Sequence, residues 1–147
     1  MLFRSAYATS FDDALTAFVS SWKDRPDPEL ASALGARVVD RRIPVRLLNT
    51  LWHRLELPPV EWLAGEADVA HSPHPLLMPA RRAAQVVTIH DLYILDAPEH
   101  HAAEVRRDYP GLIAAHARRA DAVITNSLHT RQGIVSRLWV QIGRAHV

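Results

Sequence analysis

Apolar and polar positions along this chain follow two rhythms. Short apolar runs bounded by turn residues predict buried strands. Segments with apolar residues three and four apart predict amphipathic helices. Leu15–Ser21, LTAFVSS, reads as a first strand, and WKDRPDP at 22–28 as a loop, because its prolines and aspartates favour turns. Glu29–Leu34 predicts a short helix closed by Gly35, and ARVVD at 36–40 a second strand. Pro44 suits the start of a helix over VRLLNTLWHRL, ended by Pro58 and Pro59. Val60–Ala64 adds a further helical turn, stopped by Gly65.

The second half repeats the alternation. ADVAH at 67–71 predicts a buried strand, followed by SPHPLLMP, a proline-rich loop that cannot join a ladder. VVTI at 86–89 is the clearest strand. Pro98–Ala120 reads as helical and broken near Pro110-Gly111. AVIT at 122–125 is the last expected strand, after which Asn126 or Ser127 caps a helix running to about Leu138.

Apolar strands separated by helices predict an α/β fold: a Rossmann-like parallel sheet with helices on both faces. In such a sheet ligands bind outside the carboxyl ends of the strands. Three strands end in polar residues here: His71-Ser72, His90-Asp91 and Asn126-Ser127. The run VVTIHD thus passes from β-formers straight into groups that suit a substrate.

Composition narrows the function classes. The 147 residues suit one domain, 48% apolar and 22% charged, the balance of a globular chain. A formal net charge of +1 gives no reason to expect a nucleic-acid surface. The absence of cysteine excludes thiol catalysis, disulfides and cysteine-ligated zinc. No apolar run approaches the roughly 18 residues of a spanning helix, and no signal-peptide pattern opens the chain. The location expected is cytoplasmic, with a membrane-peripheral one as the alternative.

The two ends carry a different signature. The closing IGRAHV can be written ATC GGA AGA GCA CAC GTC, which resembles a common sequencing-library adapter. The opening MLFRS can be written GTG CTC TTC CGA TCT, the reverse complement of the same oligonucleotide. Residues 1–5 and 141–147 are therefore expected to be read-through rather than native sequence, leaving 6–140 for fold reasoning.

The ordered set ADVAHSPH, VVTIHDL, the Tyr109 region and RRADAVITNSLHTRQGI resembles the amino-terminal domain of family 4 glycosyltransferases. These are retaining enzymes of the GT-B type. The likeness covers about Ala67 to Leu138 and is weaker from Leu15 to Gly65. It implies two Rossmann-like domains around a cleft, with the acceptor held mainly by the amino-terminal one and the nucleotide sugar by the other. By this resemblance residues 6–140 form a partial acceptor-side domain, lacking the first strand and its glycine-rich loop. The intact parent would transfer a hexose such as mannose to a glycan, lipid or polysaccharide acceptor. It would need no cofactor beyond the nucleotide-sugar donor, and the chain alone would be inactive.

The resemblance assigns catalysis to His90, whose matching histidine faces the transferred sugar. A neutral imidazole can bond a sugar hydroxyl, and its cation can stabilise charge on a leaving phosphate. The plainer reading is a strand-end histidine bonded to the backbone. Asp91 is a candidate to orient His90 or to bond an acceptor hydroxyl, or else a helix or turn cap. Ser127 is a candidate acceptor contact or a helix N-cap. Leu128 follows it where the family often has glutamate. Arg131, one helical turn on, either faces the cleft or is a solvated helix residue.

His71, His74, His90 and the His100-His101 pair do not repeat at ligand spacing on one helix, so no metal is expected. Trp22, Trp52 and Trp62 read as core or packing residues. Arg106-Arg107 and Arg118-Arg119 read as a solvated helix face, with peripheral contact to an anionic membrane as the other reading. The rival to the transferase is a non-catalytic Rossmann-like module that binds a nucleotide or other ligand.

Overall fold

The computed structural model describes residues 14–20, 22–100, 103–141 and 145–146. The chain divides into two compact units, Met1–Pro58 with Trp62–Gly65, and Pro59–Glu61 with Glu66–Val147.

In the first unit, β1 (Thr16–Val19) pairs in parallel with β2 (Arg37–Asp40), placing Val19 opposite Asp40. A parallel pair needs a crossover, and this one contains α1 (Leu30–Leu34). Gly35 closes α1 in the left-handed region at φ 58°, its N–H turned back to the carbonyls of Ala31 and Ser32. Helix α2 (Val45–Leu55) starts after Pro44 and buries Leu48 and Trp52, one turn apart on a single face. The Trp52 ring lies 5.9 Å from that of Phe18, and its indole N–H donates to the Pro58 carbonyl at 3.0 Å. One side chain thereby ties α2 both to β1 and to the end of its own connection.

Helix α3 (Val60–Ala64) is followed by Gly65 at φ +97°. The guanidinium of Arg37 donates to the Ala64 carbonyl, and that of Arg41 to Leu63. A Cβ at position 65 would stand 2.9 Å from Arg37 Nη2, so both backbone and space favour glycine.

In the second unit, β3 (Val69–Ser72), β4 (Ala84–Ile89), β5 (Ala122–Thr125) and β6 (Ala145–His146) form one parallel sheet in that order. After β4 come α4 (Tyr93–Asp96), a 3-10 turn (Pro98–His100) and α5 (Ala103–Arg119); α6 (Leu128–Leu138) follows β5. Val87, Ile89 and Val123 share one sheet face and pack with Ile113 and Ala117 of α5 and Ile134 and Leu138 of α6. Alternation sends Val69 and Ile124 to the opposite face, where they are exposed.

The loop after β3 is part of the core rather than a solvated connector. Leu76 and Leu77 are buried, and His116 of α5 accepts the Leu77 N–H on Nδ1 at 2.8 Å. That geometry leaves the proton of a neutral imidazole on Nε2. Gln85 holds the same loop by donating to the Met78 carbonyl at 2.6 Å.

A second anchor is Glu61. Its Oε1 accepts the backbone N–H groups of Arg81, Arg82 and Ala83 at 2.8, 3.0 and 3.2 Å. Burial by itself would raise this carboxyl, but the backbone donors outweigh it and hold the pKa at about 2.

The architecture is α/β, with parallel strands in two small sheets and helices between them, consistent with an incomplete Rossmann-like fold. Several expectations are corrected in detail. Helix α5 runs unbroken past Pro110. An interior proline removes one N–H donor, and Ile113, His116 and Ala117 beyond it are all buried. The strands α4 separates were expected to be joined by a later-starting helix, and β6 was not expected at all. Trp22 and Trp62 are 70% and 63% exposed, against a core role, while Trp52 is buried. Among the described residues no helix is long and apolar enough to cross a membrane.

Candidate functional site at the carboxyl edge of the sheet

His90 is the first residue beyond β4. Thr88 and Ile89 before it are buried, and His90 itself is exposed. A buried strand therefore delivers an imidazole to the carboxyl edge of the sheet, where α/β folds bind ligands. Asp91 is also exposed, and its Oδ1 accepts the Tyr93 N–H at 2.9 Å. This is an Asx turn. Of the roles open to Asp91, the turn cap is formed, and it starts α4.

Ser127 has an extended backbone, φ −156° and ψ 151°, and caps α6. Its Oγ accepts the Thr130 N–H at 3.1 Å and lies 2.9 Å from Thr130 Oγ1. The Thr130 hydroxyl in turn donates to the His90 carbonyl at 3.2 Å. Each hydroxyl has one proton. Since that of Thr130 is given to His90, the Ser127 hydroxyl donates to Thr130. The order Ser127 to Thr130 to His90 is fixed by donor count.

His90 and Ser127 are thus joined through a residue that sequence reasoning did not single out. Thr130 is buried at the third position of α6. Its signal was a hydroxyl residue three places after the cap serine, but the carbonyl it reaches is 40 residues away in sequence. Arg131 is half-buried on the same first turn, and its N–H continues the helix to the Ser127 carbonyl at 3.0 Å.

Two more polar groups end the flanking strands. Ser72 closes β3 and Thr125 closes β5, and both are buried. Among the described residues their hydroxyl oxygens have no hydrogen-bond partner. Sequence reading noted Ser72 only as a polar strand end and passed over Thr125.

His71, His74 and His100 have bonds of their own. His71 Nε2 lies 2.8 Å from Thr88 Oγ1 on the adjacent strand, and His74 Nδ1 accepts the Leu76 N–H at 3.3 Å. The His100 ring meets the Tyr93 hydroxyl; His101 lies outside the described residues. Among the described residues no group of three or more His, Asp or Glu is placed to hold a metal ion. Arg118 donates to the Leu138 carbonyl at 3.3 Å, at the end of α6. The side chains of Arg106 and Arg107 lie outside the described residues.

Comparison with protein-family models, with curated proteins and with solved structures returns no match.

Proposed function

We propose that this chain carries part of the acceptor-side domain of a retaining, nucleotide-sugar-dependent glycosyltransferase of the GT-B type. The observation that supports the reading is His90, an exposed imidazole at the end of a buried parallel strand, with its carbonyl tied to the capped start of α6. In this reading the imidazole bonds a hydroxyl of the transferred hexose or, as a cation, stabilises charge on the leaving phosphate. Asp91 forms the turn beside it. Ser127 and Thr130 hold the edge in place, and Arg131 stands on the same helical turn for the acceptor. The acceptor is a glycan, lipid or polysaccharide, and the nucleotide sugar is bound mainly by a second domain of the intact enzyme. The enzyme works in the cytoplasm, with peripheral membrane contact where the acceptor is a lipid.

The test is the full reading frame from the native locus, expressed and assayed with UDP- and GDP-linked hexoses. Hexose transfer is expected, with retention at the anomeric carbon. His90→Ala is expected to lower kcat by about a hundredfold or more, the usual scale for loss of a positioned proton-transfer or charge-stabilising group. A parent without a second Rossmann-like domain, or one that binds a nucleotide and transfers nothing, would replace this reading with that of a ligand-binding module.

A further inference from the structure

Next to His90, the segment Asp91-Leu92-Tyr93 is fixed by three separate contacts. Leu92 points into the core at 7% exposure. It lies so close to α6 that a Cβ on Gly133 would come within 2.7 Å of Leu92 Cδ1. Asp91 holds the Tyr93 backbone through the N–H bond at 2.9 Å. The Tyr93 hydroxyl is bonded to His100 Nδ1, and the two rings stand 5.8 Å apart at an interplanar angle of 39°.

The outcome runs against the usual fate of an aromatic residue. Tyr93 is 46% exposed although its backbone, its neighbour and its own hydroxyl are all anchored. A held aromatic ring offers contact area at little cost in side-chain entropy. The residues that precede it are the exposed His90 and the exposed Asp91, whose carboxylate holds the Tyr93 backbone N–H and retains acceptor capacity beyond that one bond. An apolar chain has no use for such neighbours. A pyranose uses both kinds: its C–H face lies on an aromatic ring while its hydroxyls bond the polar groups at the rim.

Resting on the transferase reading, we propose that Tyr93 is the platform on which a pyranose ring of the acceptor stacks, with Asp91 holding its backbone in place. Tyr93 then selects acceptors by ring face, and His90 acts on the sugar being transferred.

The test uses the full 147-residue chain and methyl α-mannopyranoside, read by saturation-transfer NMR, with 1-hexanol as the apolar control. Saturation is expected at the C–H protons of one sugar face. Tyr93→Leu, which keeps an apolar side chain but removes the ring, is expected to weaken pyranoside binding about three- to tenfold, the scale of one aromatic contact. Tyr93→Phe is expected to bind within about twofold of the unaltered chain, since it keeps the ring and loses only the bond to His100. The proposal is overturned if the pyranoside shows no contact with the unaltered chain, if Tyr93→Leu binds it equally well, or if 1-hexanol displaces it. Transfer by the intact enzyme is a separate readout. Loss of activity in His90→Ala with no change in Tyr93→Leu would overturn the platform and leave the transferase standing. Ring-dependent pyranoside binding in an intact protein that transfers nothing would support the platform and overturn the transferase.

Discussion

The hydroxyl of Thr130 donates to the carbonyl oxygen of His90 at 3.2 Å, joining the first turn of α6 to the end of β4. Thr130 is buried, so loss of its hydroxyl leaves a carbonyl and a serine hydroxyl short of partners in a place where water does not easily replace it. Thr130→Val keeps the shape and removes the bond. It is expected to destabilise the fold by about 1–2 kcal/mol, whereas Thr130→Ser restores most of the loss. Urea unfolding of the three proteins at one pH checks this; equal midpoints for threonine and valine would show that the bond carries no weight.

Ser127 acts through the same group, so its contribution is not independent. Ser127→Ala is expected to cost about 1 kcal/mol for the lost cap. In the double variant with Thr130→Val the two costs are expected to fall short of their sum by about 0.5 kcal/mol or more, because each single change already breaks the Ser127–Thr130 contact. A double-mutant cycle from urea unfolding measures the shortfall. Strict additivity would mean that the two hydroxyls do not exchange a proton in solution.

Glu61 sets an acid limit on stability. Its pKa in the folded protein is about 2, against an ordinary 4.5. Folding therefore favours the ionised form, and the stability it contributes is complete above pH 4.5 and is lost as the pH falls through about 2. Glu61→Gln can still accept some of the N–H groups of Arg81, Arg82 and Ala83, but without charge. It is expected to unfold at lower urea at pH 7 and to lose less stability than the unaltered chain between pH 5 and about 2.5. Parallel acid sensitivity in the two proteins would remove Glu61 from this role.

How much of this was legible follows from the range of the forces involved. The strand at Ala122–Thr125, the cap at Ser127 and the glycine stop at Gly35 depend on residues within a few places of each other, and they appear where the pattern put them. Trp62 and Glu61 reverse the usual ranking of inside and outside. The cause lies about 20 residues away, in three backbone N–H groups that only the fold brings to the carboxylate. The same holds for Thr130, whose partner follows β4 and lies 40 residues away in sequence, and for Leu76 and Leu77, which sit in a proline loop yet belong to the core. The carboxyl-edge position of His90 was legible from VVTIHD, because a buried run must end before polar residues begin. The exposed face of Tyr93 was not, since it depends on Leu92 taking the inward direction beside Gly133.

The last prediction concerns two buried hydroxyls without partners among the described residues. Ser72 stands opposite Val87 and Thr125 opposite Ile89, so both are aligned with core positions of β4. Each is buried without a hydrogen bond among the described residues, and an unsatisfied buried hydroxyl costs about 1–3 kcal/mol. Thr125→Val replaces the hydroxyl with a methyl of the same shape and keeps a β-branched residue in the strand. It is expected to leave stability unchanged or to raise it by about 1 kcal/mol, the opposite sign to Thr130→Val. Ser72→Ala removes a similar group with only a small loss of volume, and is expected to fall within about 0.5 kcal/mol of the unaltered chain. Urea unfolding measures both. A loss above about 1 kcal/mol in Thr125→Val would mean that the hydroxyl is bonded in solution. A gain would mean that a strand ending beside β4 carries a polar group at the expense of its own stability, as groups directed at a ligand do.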